Sequence, residues 1–401
     1  MTQSQSVPAE KKSVIIPYAW VILAVVYLAS VAAAFDQFKI PPIMPVLMDT
    51  FHIDLTQAGL LMSSIAMIGL VLALPAGIIL QRYGSKLITL SALALMAAGS
   101  VMGVLSGNYV LLLISRLLEG AGIGLIGVAA PATITMWFPP EKQGTPMGIW
   151  ATWVPVGSVI AYNLSPRLAP VLGWEAVWWV GAGFAVFMML LSAWLLRQPP
   201  AVKTAVAPAQ ETPNLREVLS NRNLWLLASA FACFNLTLVS IGTYYPTFLN
   251  QVRGYPLAQA AFISSIITFV VLFSAPLAGW ISDRIGSRRL VFSLPFLAVT
   301  VSLLFPFQVT GWQIIALMVV QGLIVGAIPS AIFAAVSEVM RKPEWAGLGL
   351  AVILMGQNFG QLFGPILFGE IVQRSGWLTA GYMMIPFCLL GFICGWRVKV
   401  R

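Results

Sequence analysis

Two pairs of opposite charges lie inside apolar stretches of this sequence. Asp36 and Lys39 are three residues apart, as are Arg116 and Glu119, so each pair shares one face of a helix. A carboxylate in apolar surroundings can bind and release a proton, and a buried cation can attract an anion. Asp36 or Glu119 could therefore bind a proton, and Lys39 and Arg116 could bind an anion.

The elements that hold these pairs are apolar helices. Hydrophobic residues make up 59% of the 401 residues and charged residues 9%, which excludes an ordinary soluble domain. Apolar runs of about 20 residues, the length that crosses a bilayer, recur along the chain and predict an all-α membrane protein with twelve transmembrane helices. The predicted helices are 17–47, 56–80, 87–106, 109–137, 144–170, 173–196, 223–250, 256–281, 289–310, 312–339, 345–373 and 377–396.

The basic residues predict the orientation of these helices. If the amino terminus is cytoplasmic, seventeen of the twenty-two lysines and arginines fall in cytoplasmic segments. We therefore expect both termini on the cytoplasmic side of the inner membrane. The first apolar run is also typical of a signal peptide, but its length and the spans behind it favour an uncleaved first helix.

The longest polar stretch, 198–221, is rich in Pro, Ala and charge, as flexible linkers are. It predicts an amino-terminal bundle, 1–197, and a carboxy-terminal bundle, 222–401, with six helices each.

Several other functions are disfavoured. The basic residues are scattered, so no nucleic acid partner is expected. Three cysteines without a CxxC pair and a single histidine predict no metal site. Gly122, Gly124 and Gly127 fit the dinucleotide-binding spacing, but no strand precedes them, so with Gly120 they predict close helix packing. No Gly-Lys dipeptide exists, so a Walker A loop is absent. We expect no cofactor and no enzyme activity.

Two prolines indicate that the first charged pair faces the interior of the helix bundle. Pro41 and Pro42 have no backbone N–H, so the carbonyls of Gln37 and Phe38 lose their helical donors and the helix should kink. Such carbonyls are tolerated at membrane depth only where protein or a water-filled cavity satisfies them. The alternatives stay open: a hydrated pair of Asp36 and Lys39 at the outer interface, and a purely structural ion pair of Arg116 with Glu119.

An internal repeat relates the two halves of the sequence. Residues 77–86, GIILQRYGSK, align with residues 279–288, GWISDRIGSR, and the pair Gly173-Trp174 aligns with Gly376-Trp377. This predicts two pseudo-symmetric six-helix bundles. Gly84 and Gly286 are expected in tight turns that need unusual backbone angles.

These segments resemble a known family. Residues 279–289 are similar to the signature loop of the major facilitator superfamily, and residues 116–124 are similar to its fourth-helix motif. Asp36 followed nine residues later by Pro45, together with Trp137-Phe138-Pro139, resembles the anion:cation symporter and cyanate-permease branches. The resemblance implies a secondary active transporter that works by alternating access.

The resemblance also implies roles for individual residues. The two loops between helices 2 and 3 and between helices 8 and 9 would form a gating latch, although their basic residues also obey the positive-inside rule. Asp283 could approach the positive end of a neighbouring helix. The gating residues so implied are Gly77, Arg82, Gly84, Gly279, Asp283, Arg284, Gly286 and Arg288.

A second set of residues lies on the helices that such transporters fold around a central cavity. Asp36 is the expected proton-coupling residue, with Glu119 as its rival. The substrate-binding candidates are Tyr27, Lys39, Arg116, Trp150, Trp153, Asn235, Tyr244, Gln357, Asn358 and Gln361. Each of the aromatic and amide residues could instead serve packing or interface anchoring.

The function expected is proton-coupled transport of a small organic or inorganic anion by a monomer in the lipid bilayer. A proton-driven multidrug exporter is the nearest alternative, because an aromatic cavity would suffice for it. A transporter-like receptor that senses solute without moving it is an alternative of another class.

Overall fold

The computed structural model describes residues 17–72, 75–139, 142–197, 218–340 and 346–400, which are nearly all helical and contain no strand. The described residues of the first half form eight α-helices. They are α1 (Tyr18–Phe38), α2 (Met44–Phe51), α3 (Leu55–Leu72), α4 (Pro75–Val104), α5 (Tyr109–Trp137), α6 (Gly144–Ala151), α7 (Trp153–Leu172) and α8 (Glu175–Leu195).

The second half begins after the polar stretch, of which residues 198–217 lie outside the described part of the chain. Its helices are α9 (Arg222–Gln251), α10 (Leu257–Ile285), α11 (Arg288–Ser302), α12 (Trp312–Val325), α13 (Ala327–Val339), α14 (Ala346–Met383) and α15 (Ile385–Arg397).

These helices form the predicted twelve spans. Nine stretches of the described residues are long and apolar enough to cross a membrane. The fifth span is divided between α6 and α7, the ninth is the 15-residue helix α11, and the last two are joined in one 51-residue stretch. The nine stretches therefore lack the fifth and ninth spans and contain the last two as one, which accounts for the difference from twelve.

Glycines with positive φ mark equivalent turns in the two halves. Gly84 bends α4 at φ 77°, and Gly286 follows α10 at φ 69°. Gly173 and Gly376, at φ 84° and 81°, mark the other repeated turn. Because this region favours residues without a Cβ, the predicted tight turns at Gly84 and Gly286 are confirmed.

The first span is broken where the prolines predict. Helix α1 ends at Phe38, a three-residue 3₁₀ helix covers Pro41–Ile43, and α2 completes the span. The 3₁₀ helix packs against α9 and α10, so the end of the first span reaches the second half.

The start of α1 at Tyr18 and the end of α15 at Arg397 lie on one side of the molecule, which we call the terminus side. The opposite side, where Phe51 lies, is called the far side. The major contacts between the halves are made by α3 with α14 and by α7 with α10. The hydrogen bonds that the described residues make between the halves lie from mid-depth to the far side. They join Gln37 and Ser63 to Gln361, Thr56 to Glu370, Leu55 to Tyr244, Tyr162 to Gly242, and Asn163 to Ser265. These hydrogen bonds thus hold the two halves together at the far side.

The glycine-rich segment of α5 lies where neighbouring helices approach closely. A Cβ on Gly120 would come within 2.9 Å of the backbone of Ile65, and one on Gly122 within 2.4 Å of the carbonyl of Ala92. The packing interpretation is confirmed for Gly120 and Gly122, whereas a Cβ on Gly124 would make only an ordinary contact of 3.8 Å and one on Gly127 would meet nothing within 4 Å.

Candidate functional site

The kink in the first span is held by an arginine from another helix. Because Pro41 has no N–H, the carbonyl of Gln37 has no helical donor. Arg116 of α5 donates to that carbonyl from Nη2 at 3.3 Å and to the carbonyl of Asp36 from Nη1 at 2.8 Å. The free carbonyls at the end of α1 therefore gain a donor, and the buried guanidinium of α5 gains acceptors.

The two charged pairs meet in one cluster. Lys39 Nζ lies 2.9 Å from Asp36 Oδ1 and 2.7 Å from Glu119 Oε1. Arg116 forms an ion pair with the other oxygen of Glu119. Ser100 of α4 donates to Glu119 Oε1 at 2.6 Å and accepts from Lys39 at 3.1 Å. We call Asp36, Lys39, Arg116 and Glu119, with Ser100, the charged cluster.

The four charged side chains are completely buried. Asp36 and Lys39 are therefore not a hydrated pair at the outer interface, and the ion pair of Arg116 with Glu119 is one part of a larger network. When all four are ionised, their charges cancel, which offsets part of the cost of removing each from water. Among the described residues, Asp36 Oδ2 and Arg116 Nε have no hydrogen-bond partner.

Helix α8 closes the cluster from one side. The Trp178 ring lies 4.7 Å from Lys39 Nζ, close enough for a cation–π contact. Gly181 lies against Asp36, and a Cβ there would be 2.3 Å from Asp36 Oδ1. On α4, a Cβ at Gly99 would be 2.8 Å from Glu119 Cγ, and one at Gly103 would be 2.2 Å from the Trp178 ring. The cluster therefore fits only because three neighbouring positions lack side chains.

Amide side chains continue from the charged cluster into the second half. Gln37 Nε2 donates to Gln361 Oε1 of α14, and Gln361 Nε2 donates to Asn235 Oδ1 of α9, each at 3.3 Å. Asn358, one turn before Gln361, lies beside Gly69 of α3, and Gln357 is half-buried. Four of the predicted substrate-binding amides thus lie on two helices of the second half, and Gln361 joins the halves.

Tyr244, a predicted substrate-binding residue, is buried in the far-side contact between the halves and is not exposed to a cavity. It is fully buried, and its hydroxyl is 2.7 Å from the carbonyl oxygen of Leu55 and 2.9 Å from that of Pro365. A Cβ on either Gly59 or Gly369 would collide with this hydroxyl. In this conformation Tyr244 joins the two halves.

Three aromatic candidates lie between mid-depth and the terminus side of the first half. Tyr27 shares a hydrogen bond of 3.0 Å with the Thr152 hydroxyl. Trp150 donates to the Ser30 hydroxyl at 3.0 Å and stacks on Trp153, with 6.0 Å between ring centroids. Tyr27, Trp150 and Trp153 are half-buried.

The two signature loops differ in what their basic residues contact. Arg82 lies over the ring of Tyr83, and Arg284 lies over the ring of Trp280. Arg288 forms an ion pair of 3.1 Å with Glu338 at the end of α13. Gly77 and Gly279 lie within α4 and α10. The side chain of Asp283 lies outside the described part of the structure.

Four residues of the site were not among those predicted. Ser100, Trp178 and Gly181 come from α4 and α8, and Gln37 comes from α1. The sequence contains one usable signal, because Gln37 is the polar neighbour of Asp36 and its carbonyl is one of those that the prolines leave free. Nothing in the sequence indicates that Ser100, Trp178 or Gly181 faces the charged cluster.

Twelve spans in two similar halves, closed around buried charge, define a membrane transporter. The sequence model of the Major Facilitator Superfamily matches residues 26–340 and, in a second match, residues 256–401. The chain therefore belongs to the major facilitator superfamily, whose members are transporters and not enzymes.

Relatives with printed functions are similar over nearly the whole chain. A hexuronate transporter of Bacillus subtilis is 23% identical over 391 residues, which cover 90% of each protein. A probable sulfoacetate transporter of Cupriavidus necator is 21% identical over 398 residues, which cover 93% of this chain and 91% of the relative.

A solved structure has the same fold. It is a bacterial homolog of the human lysosomal transporter Spinster in an inward-facing and unoccupied conformation. The TM-score is 0.77 at 17% identity, with 94% of this chain and 96% of that chain covered. The expected fold of twelve helices is confirmed.

Proposed function

We propose that this transporter moves a small organic anion together with protons by alternating access. The observation that carries the proposal is the charged cluster, where two cations and two carboxylates are fully buried beside the contact between the halves. Ionisable groups inside a membrane are costly, and their usual justification is a substrate or proton pathway.

The anionic substrate is supported by the placement of positive charge. Among the described residues, Lys39 and Arg116 are the fully buried cations. The relatives named for hexuronate and sulfoacetate carry organic anions, which is consistent with such a solute here. In the present conformation both cations are occupied by carboxylates, so an anion can bind only when a carboxylate is neutralised or displaced.

Asp36 is the proposed proton carrier. Its carboxylate accepts a hydrogen bond from Lys39 through Oδ1, while Oδ2 has no partner within the described structure. Glu119 is held by Lys39, Ser100 and Arg116, so protonation there would break more contacts. Protonated Asp36 would leave the cluster with one net positive charge, which favours an anion, and by linkage the anion favours the proton.

The remaining predictions complete this proposal. With both termini cytoplasmic in the inner membrane, the far-side closure corresponds to an inward-facing state. The halves 1–197 and 222–401 would rock about a monomer's central site, with 198–221 as their linker. The signature loops would stabilise one gating state. Asp283 would make a charged contact in the second loop that Gln81, at the equivalent position of the first loop, cannot make.

Transport by purified protein in proteoliposomes tests this function. Labelled galacturonate, a short alkanesulfonate and cyanate serve as probes, each with and without an inward proton gradient. We expect gradient-driven accumulation of at least one. Asp36→Asn should lose accumulation but keep solute exchange, because exchange needs no net proton movement, while Lys39→Ala and Arg116→Ala should weaken binding. If accumulation survives in Asp36→Asn and disappears in Glu119→Gln, the proton carrier is Glu119 of α5 and not Asp36.

One observation favours a second candidate, a proton-driven exporter of amphipathic drugs. The stacked Trp150 and Trp153, with Tyr27 nearby on α1, offer an aromatic surface that planar cations and drugs could bind. Extrusion of a cationic dye, with no movement of any anion in the same vesicles, would support the exporter and contradict the anion carrier.

A further inference from the structure

Gln37 belongs to two contacts at once. Its backbone carbonyl accepts a hydrogen bond from Arg116, inside the first half. Its side-chain amide donates to Gln361, in the second half. It also follows Asp36 directly in the chain. Among the described residues, no other residue outside the charged cluster is hydrogen-bonded both to it and to the other half.

The first contact depends on the ionisation of the cluster. Arg116 approaches the carbonyls of Asp36 and Gln37 because Pro41 leaves the second of them without a helical donor. The same guanidinium is bound to Glu119, whose other oxygen accepts from Lys39 and Ser100. Any change in the charge of a carboxylate therefore alters the forces on the cation that fixes the backbone at Gln37.

In the second contact, Gln361 is held in place by two further hydrogen bonds. Gln361 is held by Asn235 through its amide and by Ser63 through its carbonyl. Both Gln37 and Gln361 are more than nine-tenths buried. Because Asn235 and Ser63 both hold Gln361, a displacement of Gln37 alone would stretch the bond between Gln37 and Gln361, which at 3.3 Å is already at the long end of the normal range.

We propose that Gln37 is the positioning residue through which protonation of the charged cluster opens the contact between the halves. This inference rests on the proton coupling proposed above. A proton that binds Asp36 frees Lys39 to draw Glu119 away from Arg116, the guanidinium shifts, and the backbone at Gln37 moves with it. Gln37 then releases Gln361, and the far side can open.

The groups that face Asp36 are few. Lys39 comes from its own span, and Arg116 and Glu119 come from α5. Helix α4 contributes Ser100 and α8 contributes Gly181, neither of which titrates in this range. The pH response of the contact is therefore assigned to the charged cluster.

The test measures opening without a substrate. Spin labels are attached at Gly107→Cys in the first half and Gln251→Cys in the second, both exposed on the far side, in protein whose native cysteines are replaced by alanine. Pulsed electron–electron resonance in nanodiscs gives the ratio of far-side-open to far-side-closed molecules over a range of pH. Gln37→Leu, Gln361→Leu and their combination are compared with Asn163→Leu. This control removes an equally long hydrogen bond between the halves, to Ser265, that has no link to the charged cluster.

We expect the open-to-closed ratio of the parent to change about tenfold between neutral and acidic buffer, a coupling of ordinary size. Gln37→Leu and Gln361→Leu should each flatten this response, and the double variant should flatten it no further, since both act through one bond. Asn163→Leu should change the ratio at every pH but keep its dependence on pH.

Each other outcome is decisive. A parent that shows no pH response overturns the proton coupling, and with it this inference. A parent that responds, together with a Gln37→Leu variant that responds equally, overturns the role of Gln37 alone. Loss of the response in Asn163→Leu as well would mean that any weakened interface has the same effect, and would also contradict the assignment.

Discussion

The hydroxyl of Ser63 in α3 donates a hydrogen bond to the backbone carbonyl oxygen of Gln361 in α14, 3.2 Å away. That carbonyl is available because Pro365, four residues later, has no N–H to donate within the helix. A proline in one half thus creates an acceptor that a serine in the other half uses. The two halves are therefore joined at mid-depth through a carbonyl that lacks a hydrogen-bond donor within its own helix.

The first prediction follows from this relationship. Ser63→Ala should lower the stability by about 1–3 kcal/mol, because it leaves a buried carbonyl without a donor. In a Pro365→Ala background the restored N–H satisfies the carbonyl, so Ser63→Ala should cost much less there. Thermal unfolding of the four proteins in detergent measures the coupling. Equal effects of Ser63→Ala in both backgrounds would show that Pro365 is not the reason for the contact.

A second prediction concerns the single hydrogen of the Tyr244 hydroxyl, which has two carbonyl acceptors, Leu55 in one half and Pro365 in the other. Tyr244→Phe should loosen the far-side contact, because the hydroxyl that links a carbonyl of each half is lost, although both carbonyls keep their helical N–H donors. Hydrogen exchange of peptides that cover 55–63 and 361–370 should become faster. Tyr245→Phe is the matched control, since its hydroxyl donates to Pro306 within the second half. Equal acceleration by both variants would argue against a role for Tyr244 between the halves.

A third prediction tests how tightly α8 closes the charged cluster. Gly181→Ala would place a Cβ 2.3 Å from Asp36 Oδ1, so Asp36 or α8 must shift, at a cost of about 1–3 kcal/mol. We expect a lower melting temperature and a strong loss of uptake. Gly183→Ala, two residues along the same helix, would meet nothing within 4 Å and should behave like the parent. A fully active Gly181→Ala protein would mean that the position of Asp36 is not critical.

The fourth prediction concerns orientation. In protein without native cysteines, a thiol at Lys203 should resist an impermeant maleimide in intact cells, while a thiol at Gly107 should react. The reason is the concentration of basic residues in the segments assigned to the cytoplasm. Permeabilised cells provide the control, because both thiols should then react. Labelling at Lys203 from outside intact cells would reverse the topology.

The spans and turns were accessible from the sequence because their signals are local. Apolar length indicates a span, and a glycine at the same place in both repeated loops indicates the turn at Gly84 or Gly286. The spacing of Asp36 and Lys39 was also sufficient to predict that they meet, as was that of Arg116 and Glu119.

The way in which the two pairs combine was not accessible. Lys39 and Glu119 are 80 residues apart, and the helices that carry them are apolar nearly all round, so no stripe shows which faces meet. For the same reason Ser100 and Gly181 could not be assigned to the cluster. A serine or glycine in a transmembrane helix serves packing in many positions, and only the assembled bundle shows which one lies beside a charge.

The neutrality of the charged cluster has an electrical consequence. A membrane potential does work of about 2.3 kcal/mol on each elementary charge that crosses 100 mV. Two cations and two carboxylates that move together carry no net charge, so the voltage neither drives nor opposes the return of the empty cluster. A proton and a monovalent anion leave the sum at zero, whereas a divalent anion with one proton would leave it at minus one. The valence of the solute would therefore decide whether the cell's voltage acts on the cycle.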